Sequence, residues 1–386
     1  MQTTTITMGD VHYPYRLGTG CVDAVVDRLG ELGASHYLVL CDATVAELYG
    51  NDLVARLNRA AGPATVLVHP AGEEHKGLGT LNTLADAALH AGVDRRGLVV
   101  ALGGGVTGNI AGLLAALLFR GIRLVHVPTT VVAMLDSVLS LKQAVNAQVG
   151  KNLVGTFYPP VEVLADTAVL NTLPVREIRS GLCEVVKNAL AIRPSMISFL
   201  AAELRPDGRY ADDVLRWMID ESIAAKAQVT EHDKYERREG LVLEYGHTVG
   251  HALEHASHGA VSHGAGVGLG MVAAARVSHR LGHVDAGFAE LHRELVSKVG
   301  VATTVPTSVP HQEITYRLGF DNKRGYQSLA ADQYAMVLLE GAGQPLRRDG
   351  LPLTPVPRAL VDEVVRELAG VPSRVGASVA TAGGAS

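Results

Sequence analysis

Five of the sixteen histidines of the chain lie between positions 247 and 263, a density that suggests metal chemistry. His247 and His251 are spaced i, i+4, so both imidazoles project from one face of a predicted helix. Thr248 stands where the metalloprotease motif requires Glu, which excludes that motif. Two imidazoles and a carboxylate could hold a divalent ion and leave a position open for substrate. Glu184, in an apolar predicted helix, could supply the carboxylate. A row of solvated surface histidines is the alternative that spacing alone leaves open.

A glycine-rich segment, residues 103–108, reads GGGVTG and fits the G-x-G-x-x-G pattern between a predicted strand and a predicted helix. Glycines allow the backbone to approach a pyrophosphate, and the helix N-terminus offers unpaired N–H groups. The dinucleotide fingerprint also requires an acid about 20 residues later, and residues 109–135 contain none. Asp42, Glu73 and Lys76 follow other predicted strands, at the sheet edge where α/β proteins bind ligands. The segment therefore predicts either a nucleotide phosphate site or a structural turn.

A third group of polar side chains lies between these two features and near the end of the chain. Its members are Asp136, Lys142, Asn146, Lys151 and Asn152, with residues 321–324 (DNKR) far downstream. Lys142 is flanked by apolar residues, and a buried lysine is costly unless it is paired. It is therefore either a structural ion pair with Asp136 or a ligand for a phosphate or hydroxyl group.

Elements of two kinds must position these residues. Up to about residue 170, apolar runs alternate with helical patterns, and four of the runs are typical of buried parallel strands. These runs are residues 36–41, 64–69, 98–102 and 123–127. The alternation predicts a Rossmann-like, parallel-sheet α/β domain over residues 1–170.

Beyond residue 170 helical spacing dominates, which predicts a mainly α-helical domain over residues 171–370. The predicted helices are residues 176–191, 212–229, 247–255 and 267–280. Residues 336–340 are predicted to add one late strand. Residues 371–386 are rich in small side chains and are predicted to form a disordered tail.

Composition excludes several classes of protein. Hydrophobic residues form 47% and charged residues 19% of the 386, as in a folded globular chain. Aromatic residues form 4% and the formal net charge is −5, so neither base stacking nor a basic surface predicts nucleic-acid binding. An anionic ligand must therefore be small and be met by a local cluster of cations.

The cellular location is predicted from cysteines and from apolar segments. Three widely spaced cysteines and an N-terminus without a secretory signal predict a cytoplasmic protein. Residues 97–119 carry no charge and are long enough to imitate a membrane span. The glycines and Asn109 in the middle of this stretch would interrupt a lipid-exposed helix, so we interpret it as a strand, a turn and a buried helix. We expect no association with a membrane.

Taken together, these motifs resemble those of the sugar phosphate cyclases, the dehydroquinate synthase superfamily. The resemblance covers roughly residues 35 to 345. It rests on GGGVTGN at 103–109, PTT at 128–130, D-x5-K at 136–142, KN at 151–152, E-x2-K at 184–187, GHTVGHA at 246–252 and HG at 263–264.

The resemblance implies bound NAD, a divalent metal that is either Zn or Co, and a homodimer in which Arg120 reaches the substrate phosphate of the partner subunit. The implied metal ligands are Glu184, His247 and His263. The implied NAD-binding residues are Asp42, Glu73, Lys76, Gly104, Gly105, Thr129, Thr130 and Lys151. The implied substrate-binding residues are Arg120, Lys142, Asn152, Lys187, Lys226 and Lys323. The implied catalytic residues include Asp136, Lys142 and His251.

The chain departs from dehydroquinate synthases where those enzymes grip an acidic substrate. They carry Arg seven residues and Asn three residues before the first metal histidine, where this chain has Gly240 and Glu244. An arginine that binds a carboxylate is lost and a carboxylate is gained, which favours a neutral sugar phosphate. The expected reaction is therefore the carbocyclisation of glucose 6-phosphate with phosphate elimination, as in aminocyclitol antibiotic biosynthesis, with Glu244 as a further catalytic residue. Ala265 also replaces the Glu of the related motif HGE, which puts one contact around the metal in doubt.

Three alternatives stay open at the level of sequence. One is another sugar phosphate cyclase, either dehydroquinate synthase or a sedoheptulose 7-phosphate cyclase. Another is a metal-dependent polyol dehydrogenase, which would consume free NAD stoichiometrically. The last is a binding or scaffold protein without catalytic activity.

Overall fold

The structure, a computed structural model, describes residues 1–148, 150–321, 323 and 325–371. Its strands are β1 (Gln2–Met8), β2 (Val11–Gly18), β3 (Tyr37–Asp42), β4 (Ala64–His69), β5 (Leu98–Gly103), β6 (Arg123–Pro128), β7 (Lys142–Ala147), β8 (Gly150–Phe157), β9 (Glu162–Asp166), β10 (Gln333–Met336), β11 (Leu339–Gly341), β12 (Gln344–Pro345) and β13 (Thr354–Pro357). Its α-helices are α1 (Val22–Leu32), α2 (Ala43–Val45), α3 (Asn51–Ala60), α4 (Leu78–His90), α5 (Gly105–Leu117), α6 (Val131–Leu135), α7 (Val175–Ala191), α8 (Ile197–Glu203), α9 (Asp212–Thr230), α10 (His247–Ala256), α11 (His263–Arg280), α12 (Ala286–Val299), α13 (His311–Leu318) and α14 (Arg358–Leu368). Residues 372–386 of the predicted disordered tail lie outside the described residues.

Seven strands form one sheet in the order β1-β2-β9-β6-β5-β3-β4. Neighbouring strands in it are parallel except β1 and β2, which form an antiparallel hairpin. The central strands β3, β5 and β6 are apolar and buried along almost their whole length, as expected of parallel strands covered on both faces. The four predicted strands are confirmed to within one residue at each end, and with them the parallel-sheet class of the N-terminal half.

The hairpin β1–β2 joins this sheet to the helical half. It is hydrogen-bonded to β9 within the sheet, yet Ile6, Met8, Tyr13 and Tyr15 are buried in the same core as the C-terminal helices. Tyr15 Oη donates a hydrogen bond to the Met134 carbonyl oxygen at 2.8 Å. Sequence analysis predicted no strand here because threonines, not an apolar run, dominate β1. The division of the chain into two domains at residue 170 stays a prediction.

The apolar stretch at residues 97–119 forms two separate elements. Strand β5 ends at Gly103, and helix α5 begins at Gly105 after an extended Gly104. The buried face of α5 packs against β5 and β6 in the core of the sheet domain. In the part of the chain that the structure describes, no helix has both the length and the apolar character needed to span a bilayer.

The C-terminal half is built around α11, which packs against both α7 and α10. All four helices predicted here are present, but α11 begins at His263 rather than at Val267. The hydroxyl of Ser262 caps this earlier start by accepting a hydrogen bond from the Ala265 amide. The single late strand predicted at residues 336–340 is wrong, because β10 ends and β11 begins within that stretch and the two pair with different strands.

Helices α10 and α11 approach closely where two glycines meet. A Cβ atom at Gly250 would lie 2.9 Å from the carbonyl carbon of Gly266. Gly250 lies three residues after His247, and Gly266 lies three residues after His263. Both histidines are predicted metal ligands and begin their helices. Because neither residue has a side chain, the two helices approach closely here, and this approach brings the two imidazoles near each other.

We expect Gly250→Ala to lower the free energy of unfolding by about 1 to 3 kcal/mol, because the added methyl group must push the two helices apart. Urea denaturation measures this change. Gly79→Ala in α4 is the matched control, since a Cβ there meets nothing within 4 Å. This control should leave stability unchanged or raise it by up to about 1 kcal/mol. Equal stability of Gly250→Ala and wild type would contradict the proposed close contact.

Candidate active site

The three predicted metal ligands come together from three helices. Glu184 lies midway along α7, His247 is the first residue of α10, and His263 is the first residue of α11. One ligand atom from each side chain lies within 4.8 Å of the others. Nε2 of His263 is 3.3 Å and Nε2 of His247 is 3.7 Å from Glu184 Oε1. This geometry suits a divalent ion held by two imidazoles and a carboxylate, with coordination positions left for substrate.

Contacts on the far nitrogen orient both imidazoles. His247 Nδ1 lies 3.1 Å from the Tyr245 carbonyl oxygen. His263 Nδ1 lies 3.3 Å from Glu254 Oε2. A proton on Nδ1 of each ring satisfies these acceptors and leaves the Nε2 lone pair directed toward Glu184.

Glu184 is fully buried, with 0% exposure, and its Oε2 lies 2.5 Å from Lys187 Nζ. Burial alone would raise the pKa of Glu184, but Lys187 and the two imidazoles hold it well below its usual value. Within the described part of the chain, Oε1, the oxygen that faces the two imidazoles, receives no hydrogen bond. A buried anionic oxygen in this state is suited to a cation, so these residues fit the metal that the resemblance implies.

Asp136 and Lys226 form an ion pair in the same cluster. Lys226 Nζ lies 2.7 Å from Asp136 Oδ1 and 2.8 Å from the Asp136 carbonyl oxygen. Burial opposes the charge of Asp136, but Lys226 and Lys187 lower the pKa of this carboxyl. The suggested ion pair between Asp136 and Lys142 is therefore wrong. Lys142 opens strand β7 and pairs instead with Glu236, whose Oε2 lies 2.6 Å from Lys142 Nζ.

Glu244 ends the short 3₁₀ helix Glu239–Glu244, three residues before the first metal histidine. Its Oε2 is 3.4 Å from Lys323 Nζ, and Lys323 Nζ is also 2.9 Å from Asp321 Oδ2. Burial alone would raise the pKa of Glu244, but Lys323, the neighbouring imidazoles and Lys142 hold it well below its usual value. Of the predicted DNKR segment, residues 322 and 324 lie outside the described residues. Glu244 is thus an ionised carboxylate between the metal ligands and two lysines.

His251 lies next to the metal ligands without belonging to their group. Its ring centroid is 5.0 Å from that of His247 and 6.0 Å from that of His263. Burial lowers the pKa of His251 to about 3. The ring is therefore neutral at physiological pH and can donate or accept a proton, but it adds no positive charge for a phosphate.

A side chain at position 240 would be crowded by its neighbours. A Cβ atom at Gly240 would lie 3.0 Å from Glu236 Cβ and 3.2 Å from Asp233 Oδ2. The Gly240 amide donates a hydrogen bond to the same Asp233 oxygen at 3.0 Å. The Cβ and Cγ atoms of Glu236, whose carboxylate pairs with Lys142, therefore lie against position 240.

The glycine segment forms a narrow cradle at the carboxyl edge of the sheet. A Cβ atom at Gly104 would lie 3.2 Å from Thr130 Cγ2, and one at Gly105 would meet Ser137 at 3.7 Å. The Thr129 amide donates to the carbonyl at the end of β5, and Asp42 ends the neighbouring strand β3. Uncovered glycine backbone at the N-terminus of α5 fits a dinucleotide pyrophosphate, so these residues suit NAD.

The hairpin β7–β8 connects this cradle to the metal ligands. Lys76 Nζ donates to Asn152 Oδ1 at 2.5 Å and lies 4.0 Å from Glu73 Oε1. Burial lowers the pKa of Lys76. Lys151, the neighbour of Asn152 on β8, places its Nζ 2.5 Å from Glu254 Oε1 on α10. The predicted NAD-binding residues and the predicted metal site are thus joined by direct contacts.

Arg120 lies away from the other predicted site residues. It follows α5, a helix of 13 residues that starts at the glycine cradle and runs back toward the amino ends of the strands. Such a helix spans about 20 Å. Arg120 is exposed and has a φ of 67°. It does not join the site of its own chain.

Two carboxylates of the site, Glu236 and Glu254, were not predicted from the sequence. Glu254 follows His247 by seven residues, which is two helical turns, so its place on the face that carries the metal ligand could have been predicted. Glu236 lies in an irregular segment with a φ of 52°, where no periodicity indicates the direction of a side chain.

Comparisons with known proteins agree with this geometry. A family model described as 3-dehydroquinate synthase N-terminal matches residues 66–180, and one described as 3-dehydroquinate synthase C-terminal matches residues 181–324. The chain belongs to the dehydroquinate synthase family. The family resemblance and the α/β plus helical fold class predicted from sequence are confirmed.

Within the dehydroquinate synthase family, the chain is similar to proteins named 2-deoxy-scyllo-inosose synthase. One from Streptoalloteichus tenebrarius is 89% identical over 386 residues, which is 100% of both chains. One from Streptomyces kanamyceticus is 69% identical over 372 residues, covering 96% of this chain and 95% of the relative. The crystal structure of a 2-deoxy-scyllo-inosose synthase complexed with carbaglucose-6-phosphate, NAD+ and Co2+ is 38% identical and superimposes with a TM-score of 0.90 over 95% of this chain and 100% of that chain.

We expect Glu184→Gln to lose its bound divalent metal and its activity together. The amide keeps the size of the side chain but removes the charge that the metal requires. Elemental analysis of the purified protein measures the metal content, and circular dichroism verifies the fold. Glu177→Gln, a control near the start of the same helix, should keep its metal. Full metal occupancy in a folded Glu184→Gln protein would disprove this ligand.

Proposed function

We propose that the chain is an enzyme that converts glucose 6-phosphate into the carbocycle 2-deoxy-scyllo-inosose and releases inorganic phosphate. The observation that carries this proposal is the pair of positions 240 and 244. A glycine crowded by Glu236 and Asp233 and an ionised carboxylate stand where dehydroquinate synthases bind an acidic substrate. The name of the 89% identical relative supports the same activity. The product is a precursor suited to aminocyclitol antibiotics.

A seven-carbon acidic substrate does not fit this site. Its carboxylate would find no arginine at Gly240 and would face the negative charge of Glu244. An unpaired charge in a closed site costs about 2 to 5 kcal/mol. Glucose 6-phosphate carries only hydroxyl groups apart from its phosphate, so it avoids this penalty.

The proposed enzyme uses NAD and a divalent metal, as in the related crystal structure with NAD+ and Co2+. Glu184, His247 and His263 would hold the metal, and the glycine cradle with Asp42, Thr129 and Lys76 would hold NAD. When bound, NAD accepts and returns a hydride at C4 of the sugar, and the metal orients hydroxyl groups and polarises the carbonyl as a Lewis acid. Side chains of the protein would bind the phosphate and transfer the protons.

Lysines that the structure buries around the cleft would bind the substrate phosphate. Lys323 and Lys187 are each almost fully buried, and carboxylates keep both charged by raising their pKa against the effect of burial. Asn152 and Lys142 lie on the hairpin β7–β8 and would add hydrogen bonds to phosphate or hydroxyl oxygens. This cluster stabilises the phosphate as the C6–O bond breaks.

Glu244 is the proposed base for the elimination. Once C4 is a ketone, the C5 proton is acidic; a base removes it, a C5–C6 double bond forms and phosphate leaves from C6. Glu244 is ionised, so it is in the form that can accept the proton. Lys323, 3.4 Å away, lowers its pKa and therefore also limits its strength as a base. The neutral His251 would relay protons during ring opening and the final aldol closure.

An NMR assay of glucose 6-phosphate with catalytic NAD tests the proposed reaction. We expect 2-deoxy-scyllo-inosose and one equivalent of phosphate, without accumulation of NADH, because the hydride returns to the same substrate. Stoichiometric NADH would support the polyol dehydrogenase instead. Equal conversion of the acidic seven-carbon phosphate to dehydroquinate would show that positions 240 and 244 do not select the substrate. Preferential conversion of sedoheptulose 7-phosphate would assign the other cyclase activity.

Glu244→Gln should keep NAD and metal but slow the elimination by about 10²-fold or more, since an amide cannot accept a proton. Rates of phosphate release measure this effect. Glu239→Gln, in the same 3₁₀ helix, changes a carboxylate that pairs with Arg347 at the surface and should leave the rate unchanged. Phosphate release by Glu244→Gln at the wild-type rate would exclude Glu244 as the base.

We further propose a homodimer in which the partner's Arg120 completes each site. The exposed position of Arg120, remote from its own cleft, supports this arrangement. The hairpin strand β8 also exposes apolar side chains, including Leu153 at 61% and Phe157 at 38%, as expected of a surface that a second copy covers. All three cysteines are free thiols, which supports a cytoplasmic location.

Subunit complementation tests the shared site. Arg120→Ala and Glu184→Gln should each be inactive alone, because each lacks one half of the site. Mixed dimers purified through two different affinity tags should recover about half of wild-type activity, since each has one intact site out of two. A purified mixed dimer without activity above that of the single variants would contradict the shared site, as would full activity of Arg120→Ala alone.

A further inference from the structure

Glu254 divides its two carboxylate oxygens between the two halves of the protein. Oε2 lies 3.3 Å from Nδ1 of His263 at the start of α11. Oε1 lies 2.5 Å from Nζ of Lys151 on strand β8. The side chain is only 16% exposed, so both contacts are made in a largely buried environment. Glu254 itself does not belong to the group of possible metal ligands, which consists of Glu184, His247 and His263.

The two metal histidines differ in how their rings are held. His247 is buried, and its Nδ1 faces the carbonyl oxygen of Tyr245, part of the backbone two residues away. His263 is more exposed, and its Nδ1 faces the side chain of Glu254. Ala265 brings no carboxylate to this ring. The orientation of His263 therefore depends on a side chain that must itself be kept in place.

We infer that Glu254 is a positioning residue that orients His263 for metal binding, and that Lys151 holds Glu254 in the required position. This inference rests on the proposed metal site. An acceptor at Nδ1 fixes the proton on that nitrogen, leaves Nε2 free to bind the ion, and makes the imidazole a stronger ligand. Lys151 fixes the other oxygen of Glu254, so the carboxylate cannot rotate away from the ring.

Cobalt binding to the metal-free protein tests the inference without measuring activity. Co2+ bound to imidazole and carboxylate gives visible absorption bands that report both affinity and ligand geometry. The variants are Glu254→Ala, which removes the acceptor, Glu254→Gln, which keeps a weaker one, and Lys151→Met, which removes the anchor. Glu363→Ala is the matched control, because this carboxylate on α14 pairs with Arg280 at the opposite end of α11 from His263.

Glu254→Ala should weaken cobalt binding by about 10- to 100-fold and change the absorption bands, as the loss of an outer partner of a ligating histidine does. Glu254→Gln should weaken binding several-fold, and Lys151→Met by less than Glu254→Ala. The control should bind cobalt as wild type does. If Glu254→Ala does not fold, Glu254→Gln alone decides the question.

The role of Glu254 would be overturned if Glu254→Ala or Glu254→Gln bound cobalt with an affinity within twofold of wild type and showed the wild-type absorption bands. Unchanged binding in Lys151→Met would overturn the anchoring role of Lys151. Failure of the wild-type protein to bind cobalt at all would instead contradict the proposed metal site, so the two failures are distinguishable.

Discussion

Glu184 carries a negative charge at a position without solvent exposure, where an uncompensated charge would cost several kcal/mol. Neighbouring side chains compensate this charge. Lys187, one helical turn away, lies against one oxygen, and the imidazoles of His247 and His263 approach the other. Lys187 in turn lies near Asp136, whose charge is matched by Lys226. The buried Glu184 carboxylate thus requires positive groups around it, and a bound cation would complete the compensation of its charge.

The fold brings this cluster together by close backbone contacts and by one hairpin. The glycine contact between α10 and α11 places the two histidines at the starts of neighbouring helices. The hairpin β7–β8 reaches from the sheet domain to α10, and its Lys151 meets Glu254 there. The contact between Lys151 and Glu254 therefore links two sets of residues. One set would hold NAD at the sheet edge, and the other would hold a metal among the helices.

Sequence alone predicted the parallel strands because apolar runs of the right length are characteristic of buried parallel sheets. The family motifs predicted the metal ligands, whereas spacing on one helix favoured His251, which lies beside the ligand group and not within it. The partner of Lys142 could not be predicted, because Glu236 lies in an irregular segment far along the chain. Ion pairs between distant segments depend on tertiary packing, which local periodicity does not encode.

The central claim is that a metal ion compensates the buried Glu184 charge together with two imidazoles. X-ray diffraction from crystals loaded with Co2+, recorded on both sides of the cobalt absorption edge, locates this ion directly. The account predicts one strong anomalous peak within coordination distance of Glu184, His247 and His263, at about 2.0 to 2.2 Å from the ligating atoms. A peak bounded by other residues, or no peak between these three side chains in fully loaded protein, would contradict it.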